Sequence, residues 1–94
     1  MTVVFHEMVQ SEFDAAVAHY SKIDARLGLS FVEQVERIVE TPRAWPLIGA
    51  GLWRYRLPRF PFGLVYRLHA NEIKIYAVMH LKRRPGYWRH RLKI

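Results

Sequence analysis

The chain has 94 residues, of which 51 % are hydrophobic, 14 % aromatic and 24 % charged, the composition of a single globular domain. It contains no cysteine, which excludes a disulfide framework, a thiolate zinc site and a cysteine nucleophile and suits a reducing cytoplasm. No apolar run approaches the roughly 20 residues of a membrane span, and the opening Met1-Thr2-Val3-Val4-Phe5-His6-Glu7 is expected to carry no secretion signal, having no basic start and no long apolar run.

Charge divides the chain in two. Residues 1–42 hold seven acids and three bases, a net of −4, while residues 43–94 hold one acid, Glu72, and twelve bases, a net of +11; the two sum to the overall +7. Solubility does not require removing nearly every acid from the second half. A polyanion, or an acidic protein that shields this half, is the expected partner.

Thr2–His6 is a β-branched and aromatic run and reads as a first strand. Ser11, with Asp14 three residues on, reads as a helix start, and Phe13, Ala16, Val17, Tyr20, Ile23 and Leu27 recur at spacings of three and four as one buried stripe. Gly28 is the expected stop. Ser30-Phe31-Val32-Glu33 has the form of a capping box for a second helix, which Thr41-Pro42 ends. With only Gly28-Leu29 between them, the two helices must form a hairpin, about residues 11–41.

After a loop over residues 44–51 the period changes to two. Leu52–Leu57, Gly63–Leu68 and Ile73–His80 each alternate, giving a sheet over about residues 52–80, and His69-Ala70-Asn71-Glu72 is short enough for a hairpin link. Pairing Leu68 with Ile73 sets Tyr66 against Ile75, Leu64 against Ala77 and Arg67 against Lys74, which places the apolar side chains on one face. The opposite face then carries Arg54, Arg56, Arg67, Lys74, Tyr76 and His80, and the basic tail, residues 81–94, runs beside it. The fold expected over 1–94 is a single α+β domain, a helix hairpin on one face of a small twisted antiparallel sheet.

The order helix hairpin, then Trp53-Arg54-Tyr55-Arg56-Leu57, then Arg59-Phe60-Pro61-Phe62-Gly63-Leu64-Val65-Tyr66-Arg67, then the segment Ile73–Arg91 resembles the RelE/ParE toxin superfamily of type II toxin–antitoxin and plasmid stabilisation modules. The resemblance runs over nearly the whole chain and is strongest from Arg54 to Arg91. It implies a growth-inhibiting toxin held inactive by a cognate antitoxin in a cytoplasmic hetero-oligomer. The target is DNA gyrase in ParE-like members and mRNA in the ribosomal A site, cut without a metal, in RelE-like members. In the RelE-like pattern Arg54 and Arg56 stand where two lysines are placed, Arg83 near a C-terminal arginine and Tyr87 close to a tyrosine, while Gly63 replaces a central arginine.

Metal-free RNA cleavage needs a base for the 2′-hydroxyl, cations around the phosphate and an acid for the leaving oxygen. Arginine clamps phosphate through its planar fork and transfers protons poorly. Arg54, Arg56, Arg67, Arg83, Arg84 and Trp88 are therefore the candidates for phosphate or partner binding, and His80, Tyr87 and Arg83 are the catalytic candidates if the chain is a nuclease. A strand-end histidine such as His80 is more often a hydrogen-bonded structural residue, and Trp88 is also readable as a cap on the sheet that pins the tail. His6, His19, His69, His80 and His90 have no close metal-binding spacing and Gly49-Ala50-Gly51 precedes a strand, so neither a metal nor a nucleotide cofactor is expected. The missing central cation and lysines favour a ParE-like gyrase inhibitor. An mRNA endonuclease and a non-toxic basic module that binds nucleic acid are the alternatives.

Overall fold

Alternating side chains in the second half and apolar stripes in the first assemble into two layers. The computed structural model describes residues 1–93. A first strand β1 (Thr2–Phe5) leads into helices α1 (Val9–Ile23) and α2 (Ala25–Glu36), the latter continued by a 3-10 turn at Arg37–Val39. Strands β2 (Leu47–Gly49), β3 (Leu52–Arg56), β4 (Phe62–His69) and β5 (Glu72–His80) follow, and a 3-10 segment, Arg89–Lys93, lies near the end. The sheet order is β1-β5-β4-β3-β2.

The sheet is mixed rather than antiparallel throughout, because β1 pairs parallel to β5. Hairpins force antiparallel pairing only on strands joined by short turns, here β2 to β5. β1 meets its partner from the far end of the chain and is free of that constraint. β2 falls inside the segment expected to be loop. It is a three-residue, bulged edge strand, too short to show a period.

The helix hairpin turns at Asp24, not at Gly28-Leu29. Asp24 is extended (φ −162°, ψ 129°), and its amide donates to Tyr20 O at 3.0 Å to close α1. Its carboxylate accepts from the Arg26 amide at 2.8 Å to start α2. One residue thus serves both helix ends, a use of the side-chain cap that outcompetes the glycine signal. Gly28 sits within α2 for a different reason: a Cβ there would come within 1.9 Å of Ser21 Oγ, so its lack of a side chain lets the two helices approach. Ser30 and Glu33 are likewise interior to α2 and form no cap.

Nor does Ser11 cap α1, since the helix begins at Val9 and the Ser11 hydroxyl donates back to Met8 O at 3.2 Å. The amide of Met8 is taken by the Nδ1 of His6, at 3.2 Å, from the end of β1.

The core between helices and sheet is aromatic at its centre. Phe31, fully buried, lies 5.1 Å from the rings of both Phe60 and Phe62, 5.7 Å from Tyr20 and 6.1 Å from Phe13. Tyr66, also fully buried, donates its hydroxyl to Pro42 O at 2.8 Å and so ties the sheet to the loop after the helices. The stripe expected on α1 and α2 runs past this core: Ile23 is 63 % exposed and Leu27 is exposed beside it at the hairpin tip.

The β4–β5 register matches expectation from His69↔Glu72 through Tyr66↔Ile75, then shifts. Val65 pairs with Ala77 and Leu64 with Val78, which leaves Tyr76 as the extra residue of a bulge. Because side chains alternate, one inserted residue reverses the facing of everything after it. Val78 packs into the helix-side core, whereas Ala77 and Met79, expected there, join the opposite face. His80 moves the other way: it pairs with Phe62, a helix-side residue, and their rings meet edge-on at 5.1 Å. It is therefore absent from the face that carries Arg54, Arg56, Arg67 and Lys74.

Replacing Gly28 by valine is expected to destabilise the fold by about 2 kcal/mol through overpacking of the helix contact, measured by chemical denaturation. A cost below about 0.5 kcal/mol would mean that the helices part without consequence there.

Candidate functional site

β1 ends at Phe5, but β5 continues to His80, so the outer edge of the second half of β5 has backbone groups that no strand covers. The tail and α1 supply the partners. Glu12, on the first turns of α1, accepts the Val78 amide on Oε1 at 3.2 Å. Arg91, from the 3-10 segment, donates through Nη1 to Tyr76 O at 3.0 Å. The two side chains then meet in a fork, with Arg91 Nη1 2.9 Å from Glu12 Oε1 and Nη2 3.0 Å from Oε2.

Tyr87 completes the cluster, its hydroxyl donating to Glu12 Oε2 at 2.6 Å. Arg83 lies over the Tyr87 ring, 3.8 Å from its centre, with Nη1 3.6 Å from Glu12 Oε2. Arg91 is only 5 % exposed, so a buried guanidinium is held by one carboxylate. Burial acts to raise the Glu12 carboxyl, but the hydrogen bonds from Arg91, Tyr87 and the Val78 amide outweigh it and hold the group below its ordinary value. Burial, with the bond to the Glu12 carboxylate, pushes the Tyr87 phenol well above its ordinary range. Tyr87 is thus a fixed donor whose proton is held tightly.

Beside this cluster, between α1 and the ends of β4 and β5, opens a groove of about 440 Å³. Ala15, Ala16, Tyr20, Phe62 and Val78 give it an apolar lining, and His19, His80, Arg83 and Glu12 add its polar groups. The Nδ1 of His80 accepts the Lys82 amide at 3.1 Å, which fixes the ring and leaves Nε2 as its other polar atom. The bulge in β5 is what delivers His80 here. Without that inserted residue, the histidine would stand on the far side of the sheet.

That far side has its own small core. Trp88, 3 % exposed, packs with Leu52, Val65, Tyr76 and Ala77, and Ile48, Met79, Tyr87 and Leu92 surround them. Trp88 therefore pins the tail to the sheet and has no open ring face on which a base could stack. Arg54 and Arg56 are exposed on β3, opposite Val65 and Gly63, at one end of this face. Arg67 lies at the other end, opposite Leu52, and donates to Ala50 O at 2.9 and 3.1 Å. Arg84 is exposed in the turn before the tail segment.

The candidate residues accordingly fall into separate groups. Tyr87 and Arg83 meet Glu12, which lines the groove together with Arg83 and His80, and the sheet stands between His80 and the pair Arg54 and Arg56. Sequence reading passed over Glu12 and Arg91. An acid inside an amphipathic helix and a cation in a basic tail each look like solvated charges, and nothing local signals that they meet. Gly63 is buried opposite Arg56, and an added Cβ would find only ordinary contacts at 3.5 Å and beyond. Crowding therefore does not exclude a Cβ at this position. Among the described residues no group of three or more histidines, aspartates or glutamates is placed to hold a metal, and no helix is long and apolar enough to cross a membrane.

No family model and no curated protein matches the chain. A solved structure does: a chain of the "Chromosomal ParDE TA system from P. aeruginosa" is similar over 85 % of this chain and 95 % of that one, with a TM-score of 0.68 and 22 % identity. The two chains share a fold. Two helices against a five-stranded mixed sheet is thus the α+β architecture implied by the RelE/ParE resemblance.

Removing the Glu12 charge by Glu12→Gln leaves the Arg91 guanidinium buried without a counter-ion, and is expected to cost about 3 kcal/mol in chemical denaturation. It should also speed tryptic cleavage in the already exposed Lys82–Arg84 turn, as the tail loosens from the sheet.

Acid should weaken the fold in two stages. Burial, followed by the Lys74 cation, lowers the His6 pKa from its ordinary 6.5, so the native state favours the neutral ring. Stability is then fully present above pH 6.5 and declines as pH falls through the native His6 pKa. The Glu12 carboxylate, lowered from 4.5, adds a second decline as pH falls below that value toward its native pKa. His6→Asn, which keeps an acceptor for the Met8 amide, should remove only the first stage in a denaturation series across pH. Persistence of that stage in the variant would assign it elsewhere.

Proposed function

We propose that the chain is the toxin of a type II toxin–antitoxin module, acting in the cytoplasm and neutralised by a cognate antitoxin in a hetero-oligomer. The observation that carries this reading is the fold shared with a chain of the ParDE system over nearly the full length of both. The uneven charge supports it, since a half-chain of net +11 suits an acidic, partly disordered partner. The groove gives such a partner an apolar seat, with Arg83 and two histidines among its polar groups. An amphipathic acidic segment of the antitoxin would fill it.

Within this class we favour a ParE-like action on DNA gyrase. A fold alone does not choose a target, so the reading rests on the site. Clamping a scissile phosphate while moving protons needs both sets of groups around one reacting centre. Here Arg54 and Arg56 lie on one face of the sheet and His80 on the other. No side chain at Gly63 adds a cation between them, and the Tyr87 proton is engaged by Glu12. The second reading, a metal-free mRNA endonuclease, draws on His80 and Arg83 lining one groove, with Tyr87 bonded to Glu12 beside them. A non-toxic basic module that binds nucleic acid has the exposed arginines in its favour.

Controlled expression without the antitoxin separates the three. The gyrase reading expects growth arrest with double-strand breaks, a DNA-damage response and intact messages. Arrest of translation with cleaved messages, abolished by combined Arg56→Ala and Arg83→Ala, would replace it with the nuclease. Unimpeded growth, together with nucleic-acid binding that falls steeply with salt, would replace both with the binding module.

A further inference from the structure

At the β4–β5 hairpin end, on the face away from the helices, Arg67 and Lys74 are direct register partners. Two like charges placed opposite one another in an antiparallel pair repel. Among the described residues neither has a carboxylate within 4.0 Å to relieve this. Both are instead drawn toward one aromatic ring. The Arg67 guanidinium carbon lies 5.7 Å and Lys74 Nζ 5.4 Å from the centre of the Tyr76 ring, so that the residue displaced by the bulge becomes a platform for two cations.

Arg67 is further fixed by Nε and Nη2, which both donate to Ala50 O, and this leaves its Nη1 edge free of protein acceptors. A cleft of about 330 Å³, lined by Arg67, Leu68, His69, Glu72, Lys74 and Tyr76, opens over the pair. A forked donor held in place beside a point charge suits a phosphoryl group, whose several oxygens can meet both cations at once, better than a single planar carboxylate. Holding the arginine before binding lowers the ordering cost.

We propose that Arg67 and Lys74, seated on Tyr76, form a binding site for a phosphoryl group. It is separate from the groove around Glu12 and independent of the toxin reading. The phosphoryl group is either a terminal monoester or free phosphate, or else a phosphodiester of a nucleic-acid strand. Glu72, at the turn, borders the site and limits its net charge.

The test is a titration of the full chain, followed by nuclear magnetic resonance at constant ionic strength. The probes are sodium phosphate, a short single-stranded oligonucleotide with a 5′-phosphate, and the same oligonucleotide without it. Saturable shifts centred on Arg67, Lys74 and Tyr76 are expected. Arg67→Gln and Lys74→Gln should each weaken binding at least fivefold, Glu72→Gln should tighten it, and Lys22→Gln on the helix layer should leave it unchanged. Binding of phosphate and the 5′-phosphorylated strand alone assigns the site to a terminal phosphoryl group; equal binding of both strands assigns it to the backbone. Thermal unfolding guards against misfolded variants: phosphate should raise the midpoint of the parent chain more than that of folded Lys74→Gln. Shifts no larger than those produced by sodium chloride, or a Lys74→Gln titration identical to the parent's, would overturn the proposal.

Discussion

Where β1 stops short of β5, the sheet is left with a half-covered edge, and one carboxylate closes it. Glu12 reaches from the helix layer to the Val78 amide and receives both arms of Arg91, which in turn satisfies the Tyr76 carbonyl. Exposed edges invite pairing with other chains, and proteins blunt them with charge or cover. Here the cover is a pair of ionised side chains, one from the first helix and one from the end of the chain, 79 residues apart. The tail is thereby built into the domain. Trp88 then fills the second core, Tyr87 is bonded to Glu12, and Arg83 lies over the Tyr87 ring at the groove.

The Tyr76 bulge decides which chemistry lies on which side. Upstream of it the alternation sorts as the sequence implies, with Ile73 and Ile75 inward and Lys74 outward. Downstream it is reversed, and His80 joins the groove while Met79 leaves it. One residue without a register partner thus puts His80 on the opposite face of the sheet from Arg54 and Arg56. The same residue offers its ring to Arg67 and Lys74.

Much of the architecture was legible in the sequence, because the strands from Leu52 to His80 alternate and the helices carry aromatic stripes. What was hidden has particular causes. A bulge leaves no mark in an apolar strand such as Ile75-Tyr76-Ala77-Val78, where every residue suits either face. Gly28 advertised a helix stop, yet its role is close approach to Ser21, and the cap belongs to Asp24 four positions earlier. Ser11, the expected cap of α1, lies inside a helix that begins at Val9 and has no side-chain cap. The candidate site was less legible than the fold. His80, Arg83 and Tyr87 could be chosen by residue type, but Glu12, which holds Arg83 and Tyr87, lies in the other half of the chain and is recognised only when three dimensions bring it to Arg91.

The division of charge along the chain becomes, in the folded molecule, a division in space. Glu33, Glu36, Glu40 and Asp14 are exposed on the helical layer, and Arg54, Arg56, Arg84 and Arg89 on the sheet and tail. The molecule is therefore a dipole spanning 37 × 28 × 21 Å. At physiological salt the screening length is about 8 Å, much shorter than the body itself, so a distant polyanion senses little of it. Within a few ångströms of contact the field turns the protein, and the acidic layer is held outward while the arginines arrive first.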